Sequence, residues 1–302
     1  MPQKYKNILL IGSTGLVGQA VQRTLKQRNY TLITPPSEEF DLTDQELMLE
    51  YIRHNWPDLI INCAAIPDVE ENETDNEILP ELVNLYGPII LAHICQDFGI
   101  PVVHFSTSYV FDGRKETPYT EQDAPCPLNR YGRFKMAADE AMLSESVGLS
   151  LVIRTSWVFG PGRTNFVSFI ARKAQVGEAI EVTTDNISSP TYSLDLAEAT
   201  VDLIEAGARG IVNVVNSGSA NRAEMATIIL HLASLKAEIS IVPAEVIQGA
   251  RRPTNSVLDN SLLQKRFKVK MRPWKEALKD YFKNYLREDI LLSDDIVAAE
   301  EI

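Results

Sequence analysis

The chain has 302 residues, 45% hydrophobic and 23% charged, with a formal net charge of −12. This is the profile of a soluble globular protein long enough for two lobes. It has no apolar run of about 18 residues, which argues against a membrane span, and no basic cluster, which argues against a nucleic-acid partner.

The start, MPQKYKNILLIGSTG, passes from a short polar lead into a strand and shows no signal-peptide pattern, so a cytoplasmic location is expected. Cys63, Cys95 and Cys126 are scattered, an odd number without C-x-x-C spacing. That argues against a disulfide framework or a zinc site, and the four histidines form no ligand pattern, so no metal is expected.

In chain order, strands are expected over 5–11, 30–34, 58–65, 101–106 and 149–156. Helices are expected between them, over 16–28, 43–55, 81–99 and 129–143, with Asn129 as an N-cap. This alternation implies an α/β fold with a doubly wound parallel Rossmann sheet. Beyond residue 156 the rhythm loosens. Helices are expected from Phe166, over 193–207 with Ser193 as a cap, over 221–235 and over 273–286, with a strand over 210–216. The division that follows is a dinucleotide-binding domain over 1–160 and a smaller, mainly substrate-binding lobe over 161–290. Segments of that lobe return to the first domain, and an acidic, flexible tail covers 291–302.

Gly12, Gly15 and Gly18 lie between the first strand and the first helix, spaced G-x-x-G-x-x-G. Gly12 permits the tight turn, Gly15 a close approach to a pyrophosphate, and Gly18 close packing of helix on strand. The helix N-terminus offers N–H groups to the phosphates. Thr14, Leu16 and Val17 belong to the same binding turn. Tyr131 and Lys135 share a helix face, being four residues apart. A ketone reduction needs a proton donor, and a lysine ammonium beside a tyrosine favours its phenolate. Thr107, at the end of the fourth strand, is placed to hold a carbonyl oxygen beside that phenol.

The glycine spacing, with NCAA (62–65) and DLTD (41–44), resembles the extended short-chain dehydrogenase/reductase family. STSYVFDG (106–113), PLNRYGRFK (127–135), RTSWVFGPGRTNF (154–166) and RRPTNSVLDN (251–260) narrow this to a group. They resemble the dTDP-4-dehydrorhamnose reductases and their close relatives, over roughly residues 5–285.

The resemblance implies Thr107, Tyr131 and Lys135 as the catalytic residues. It implies Asp41, Leu42, Cys63, Ala64 and Ala65 as cofactor contacts, with DLTD alternatively a helix cap. It implies Ser108, Tyr109, Trp157, Asn165, Arg252 and Asn255 near the substrate. Trp157 could equally be core, Arg252 a surface ion pair and Asn255 a turn cap. The implied reaction is reduction of a nucleotide-linked 4-keto-6-deoxy sugar, dTDP-4-dehydro-L-rhamnose to dTDP-L-rhamnose. The partner is therefore a nucleotide-sugar substrate, and a homodimer is compatible. The cofactor is NADPH or NADH. ITPPSEE, after the second strand, holds neither the acidic residue that selects one at the strand end nor the arginine that selects the other.

Two departures bear on the sugar. Ser108 stands where the group has aspartate, and Ile66-Pro67 stands where it has His-Thr. Two other functions therefore stay open. One is an epimerase or dehydratase of the same fold. The other is a non-catalytic subunit similar to the regulatory beta subunit of methionine adenosyltransferase.

Overall fold

The computed structural model describes residues 5–74, 78–243 and 249–286. The expected tail over 291–302 lies outside the described residues.

Six parallel strands form the central sheet. They are β1 (Asn7–Ile11), β2 (Thr31–Ile33), β3 (Leu59–Asn62), β4 (Val102–Thr107), β5 (Ser150–Thr155) and a strand from the second half, Gly210–Asn213. The spatial order is Gly210–Asn213, β5, β4, β3, β1, β2. The chain order reverses at β1, leaving a crevice between the carboxyl ends of β1 and β3, where open α/β sheets bind ligands. Along β1, Ile8 and Leu10 face one core, while Leu9 and Ile11 face another on the opposite side of the sheet. Both faces are covered, which is why this strand reads as a continuous apolar run.

On one face, helix Leu16–Gln27 packs against helix Ser193–Glu205. Arg28 lies between Glu198, Asp202 and Glu205 at 2.6, 2.8 and 3.2 Å. On the other face lie helices Gln45–Asn55 and Gly87–Phe98. A further apolar cluster gathers Phe159, Phe166, Tyr192, Met225, Trp274 and Tyr281. It is built from helices Phe166–Val176, Arg222–Ala233 and Trp274–Asn284.

Two expectations change. The helix expected over 81–99 is wound as a π-segment over Leu82–Tyr86 before its α-helical part starts at Gly87. Pro88 removes an amide donor just there, and Gly87 sits so close to Leu42 that a side chain would strike it. Ser193 is the first helical residue rather than the cap, and its buried hydroxyl has no partner. By contrast, Asn129 caps helix Arg130–Ser144, accepting from the Gly132 amide at 2.8 Å.

That helix is anchored by a buried ion pair. Arg154 Nε lies 3.1 Å from Asp139 Oδ2, with each side chain 2% exposed. The Ser106 hydroxyl donates to the same oxygen at 2.9 Å. Burial pushes the Asp139 carboxyl above its ordinary range, while Arg154 and Ser106 pull it back. Removing one partner of such a pair strands the other, at about 3–5 kcal/mol, whereas replacing both with apolar groups costs far less. Asp139→Leu is therefore expected to lower the urea midpoint sharply, and the double variant Asp139→Leu/Arg154→Leu to recover most of that loss.

Candidate functional site

The glycine turn follows β1. Gly12 has φ +71°, and a side chain on it would come within 2.5 Å of the Ala64 amide nitrogen. Gly18 faces the Gly12 carbonyl too closely for any side chain. Gly15 differs: a Cβ there would meet only the Gly12 carbonyl, at 3.4 Å. The space above the N-terminus of helix Leu16–Gln27 is thus left open by the protein itself. A pyrophosphate fits such a cradle, which offers amide donors and a partial positive charge. Leu16 and Val17 are half-buried in the first turn of that helix, and Thr14 is exposed. The Thr14 carbonyl accepts from Gln19 Nε2 at 2.8 Å and Arg163 Nε at 3.2 Å, which tethers the turn to the later chain.

Cys63, Ala64 and Ala65 follow β3 across the same crevice, with Ala65 exposed. Asn62 shapes this segment, its Oδ1 accepting from the Ala64 amide at 3.0 Å. Burial pushes the Cys63 thiol far up, so it stays protonated. Within DLTD it is Asp44 that caps helix Gln45–Asn55, accepting from the Leu47 amide at 3.0 Å. Asp41 accepts from the Thr43 amide at 2.8 Å, and Leu42 is buried.

Thr107 and Tyr131 meet at the carboxyl end of β4, and Lys135 lies one helical turn beyond Tyr131 on helix Arg130–Ser144. Thr107 accepts from the Tyr109 amide at 3.2 Å, and hydrogen bonding from Thr107 favours the Tyr131 phenolate. Burial nevertheless pushes the Tyr131 phenol well above its ordinary range, helped by Tyr109 and Asp139. The expectation that a lysine ammonium governs this tyrosine is not met by the protein groups alone. Lys135 is buried, and burial brings it down to about 8. Its amine points at His104, with Nζ 3.0 Å from Nε2.

The expected substrate residues fall into two sets. Asn165 and Asn255 spend their amides on the protein. Asn165 caps helix Phe166–Val176, and its Nδ2 donates to the Gly160 and Arg163 carbonyls at 2.8 and 3.0 Å. Asn255 donates to the Lys115 carbonyl at 2.6 Å and accepts from the Val257 amide at 3.0 Å. Arg252 is held by Glu70 at 2.6 Å.

The other set has unused capacity. The Ser108 hydroxyl and the Trp157 indole N–H are buried without a partner. Tyr109 is half-buried. Trp157 takes a left-handed backbone, φ +40°, and stacks on Arg222, whose Cζ lies 4.0 Å from the Trp157 ring and 4.2 Å from that of Phe166. Among the described residues no carboxylate pairs with Arg222. Burial lowers this guanidinium to about 10, Tyr109 acting against the shift and Arg252 with it.

Sequence reasoning missed His104, Asp139, Glu70 and Arg222. The first two had a signal: His104 and Ser106 alternate on one face of β4, and Tyr131, Lys135 and Asp139 form a stripe at four-residue spacing. Glu70 and Arg222 had none, because their partners are remote in sequence.

Comparison with known proteins decides the family. A sequence profile described as the RmlD substrate binding domain matches residues 6–287. The chain belongs to this family. It is 34% identical to the spore coat polysaccharide biosynthesis protein SpsK of Bacillus subtilis (strain 168), over 91% of this chain and 96% of that protein. It is 32% identical to the dTDP-4-dehydrorhamnose reductase of Escherichia coli (strain K12), over 90% and 96%. Among solved structures, the dTDP-4-dehydrorhamnose reductase of Bacillus anthracis in complex with NADP superposes with a TM-score of 0.88 at 30% identity, over 93% of this chain and 99% of that one. A UDP-glucose 4-epimerase of Thermotoga maritima, 18% identical with a TM-score of 0.81, shares the fold. The chain is an NAD(P)-dependent oxidoreductase with a Rossmann sheet.

Gly15 offers a test of the cradle that spares the fold. Aspartate is a strong N-cap and suits a helix N-terminus, and its side chain has room here. Gly15→Asp is expected to keep or raise the thermal midpoint. Its carboxylate would weaken NADPH and NADH binding at least about tenfold in fluorescence titration.

Proposed function

We propose that this chain reduces the keto group of a nucleotide-linked 4-keto-6-deoxy sugar, with dTDP-4-dehydro-L-rhamnose as substrate and dTDP-L-rhamnose as product. The observation that carries this reading is the meeting of Thr107 and Tyr131 at the carboxyl end of β4, with Lys135 one helical turn further on facing Cys63, whose segment adjoins the glycine cradle. The relatives named dTDP-4-dehydrorhamnose reductase support it.

NADPH or NADH, held by Gly12, Gly15, the helix start after Gly15 and the 63–65 segment, supplies the hydride. The rest of the chemistry belongs to the chain. Thr107 and Tyr131 hold the keto oxygen. Burial keeps the phenol protonated, and Tyr131 passes its proton to that oxygen as negative charge develops there, a transfer favoured by whatever stabilises the phenolate. The resulting phenolate accepts a hydrogen bond from Thr107 and is stabilised by Lys135 once that amine is protonated.

The substrate side is assigned to the donors without partners. Arg222, clamped between Trp157 and Phe166, binds an anionic group of the nucleotide sugar, and Trp157 and Ser108 offer donors to its oxygens. A half-buried guanidinium with no carboxylate among the described residues favours a ligand that brings an anion. Residues 161–286 mainly constitute the substrate lobe, apart from segments that return to the first domain, among them the strand Gly210–Asn213, helix Ser193–Glu205 and the stretch that holds Leu263 and Met271.

The test follows oxidation of NADPH and of NADH separately, with dTDP-4-dehydro-L-rhamnose generated in place. Wild type is expected to turn over. Tyr131→Phe is expected to lose on the order of 10²–10⁴-fold in kcat with cofactor binding intact. Arg222→Met is expected to act mainly by raising KM. Cofactor binding without any oxidation would overturn the reductase reading. NAD retained through purification, with turnover needing no added reductant, would instead favour an epimerase.

A further inference from the structure

His104 is fully buried in the middle of the sheet and touches two polar side chains. Its Nδ1 lies 3.3 Å from Asn62 Nδ2, and its Nε2 lies 3.0 Å from Lys135 Nζ. Asn62 and His104 are register partners on β3 and β4. The tautomer follows from a chain of constraints that starts at the backbone. The Ala64 amide can only donate, and it donates to Asn62 Oδ1 at 3.0 Å. Flipping the Asn62 amide would set its NH₂ against that N–H, so Nδ2 must face His104. An NH₂ donor requires an acceptor at Nδ1, which leaves the ring proton on Nε2. The Nε2–H then points at Lys135 Nζ, and an ammonium has no lone pair to receive it. Only the neutral amine closes the chain of hydrogen bonds.

We propose that His104 is a positioning residue: held by Asn62 as its Nε2–H tautomer, it selects the neutral amine of Lys135 and thereby couples the segment after β3 to the lysine's protonation. Protonating Lys135 then needs a compensating change. Either the Nε2–H···Nζ contact breaks, or the ring proton leaves Nε2 for Nδ1 at the expense of the Asn62 bond. The groups facing Lys135 agree with this arrangement. His104 approaches from β4, the protonated Cys63 thiol from the segment after β3, and Asp139 from its own helix, already paired with Arg154 of β5. Burial drives His104 well below its ordinary range, and Lys135 drives it the same way, so the ring stays neutral throughout the working pH range.

The test is nitrogen-15 NMR of the imidazoles in the full chain without cofactor, together with a carbon-13 titration of the lysine side chains. His104→Gln assigns the His104 signals among the four histidines. Above the Lys135 midpoint wild type should show a protonated Nε2 and a bare Nδ1, and the ring should take up no second proton. Lys135 should have a midpoint near 8.

Asn62→Asp is the decisive variant. It keeps an acceptor for the Ala64 amide and presents a second carboxylate oxygen to the ring. The ring proton should move to Nδ1, Nε2 should offer its lone pair to the ammonium, and the Lys135 midpoint should rise by about one unit or more. A wild-type ring protonated at Nδ1 above the Lys135 midpoint, a ring titrating near its ordinary value, or an Asn62→Asp variant with the proton still on Nε2 would each overturn the proposal. Should Asn62→Asp not fold, the wild-type tautomer decides alone.

A final readout rests on the proposed reductase function. The Asn62→Asp pH profile of NAD(P)H oxidation should shift alkaline with the lysine, whereas a merely structural role would lower the rate equally at every pH. A sound NMR result with no oxidation at any pH would reject the reductase reading and leave the tautomer assignment standing.

Discussion

One carboxylate and one guanidinium, both withdrawn from water, determine where the chemistry of this protein can sit. Asp139 and Arg154 meet beneath the sheet end, and Ser106 completes the contact. Asp139 lies on the same helical stripe as Tyr131 and Lys135, so fixing it fixes the azimuth of the helix that carries them. Desolvating two charges costs several kcal/mol per ion, by order of magnitude, and the pair persists only in good geometry. The pair is therefore poor evidence of stability and good evidence of a unique placement. The Tyr131 phenol and the Lys135 amine inherit their positions from it.

A second constraint acts across the β1–β3 crevice. Gly12 and Ala64 approach so closely that neither turn can move without the other. Asn62 closes the second turn through the Ala64 amide and reaches His104 in the next strand. The cradle expected to hold phosphates and the lysine beside the tyrosine are thus linked by three adjoining hydrogen bonds rather than by proximity alone. Parallel pairing makes this possible, since it brings the carboxyl ends of β1, β3 and β4 to one edge of the sheet.

What was legible in the sequence was local. The Gly12–Gly18 turn and the Asn129 cap each need only a few neighbouring residues to be understood, and each has the expected geometry; Tyr131 and Lys135 share a helix as expected, but the lysine amine is turned to His104. What was not legible depends on the folded surroundings of each side chain. The resemblance implies Asn165 and Asn255 near the substrate, yet their amides donate to carbonyls, at nearby Gly160 and Arg163 for one and at remote Lys115 for the other. Arg222 looked like an ordinary residue at the start of a helix. Its meaning depends on Trp157 and Phe166 arriving on either side of it. Protonation was the hardest property to anticipate. Spacing puts a lysine beside a tyrosine, but burial decides which form each takes, and burial is a property of the whole fold.

The chain carries a formal net charge of −12, an awkward background for an anionic substrate. The long-range field of such a protein works against the approach of a dinucleotide or a nucleotide sugar, although salt screens that field beyond about 8–10 Å. Within the screened distance the local groups prevail. Burial lowers the Arg222 guanidinium, and the charge of nearby Arg252 acts in the same direction. Glu70 neutralises Arg252 at 2.6 Å, which leaves Arg222 as the guanidinium of that pair without a carboxylate. The arrangement concentrates positive charge at one point and cancels it at the next. Arg222 is half-buried between two aromatic faces and has no carboxylate partner among the described residues, so an arriving anion would find a cation not already neutralised. Selectivity for an anionic substrate would then need no basic surface, only one guanidinium held without a carboxylate.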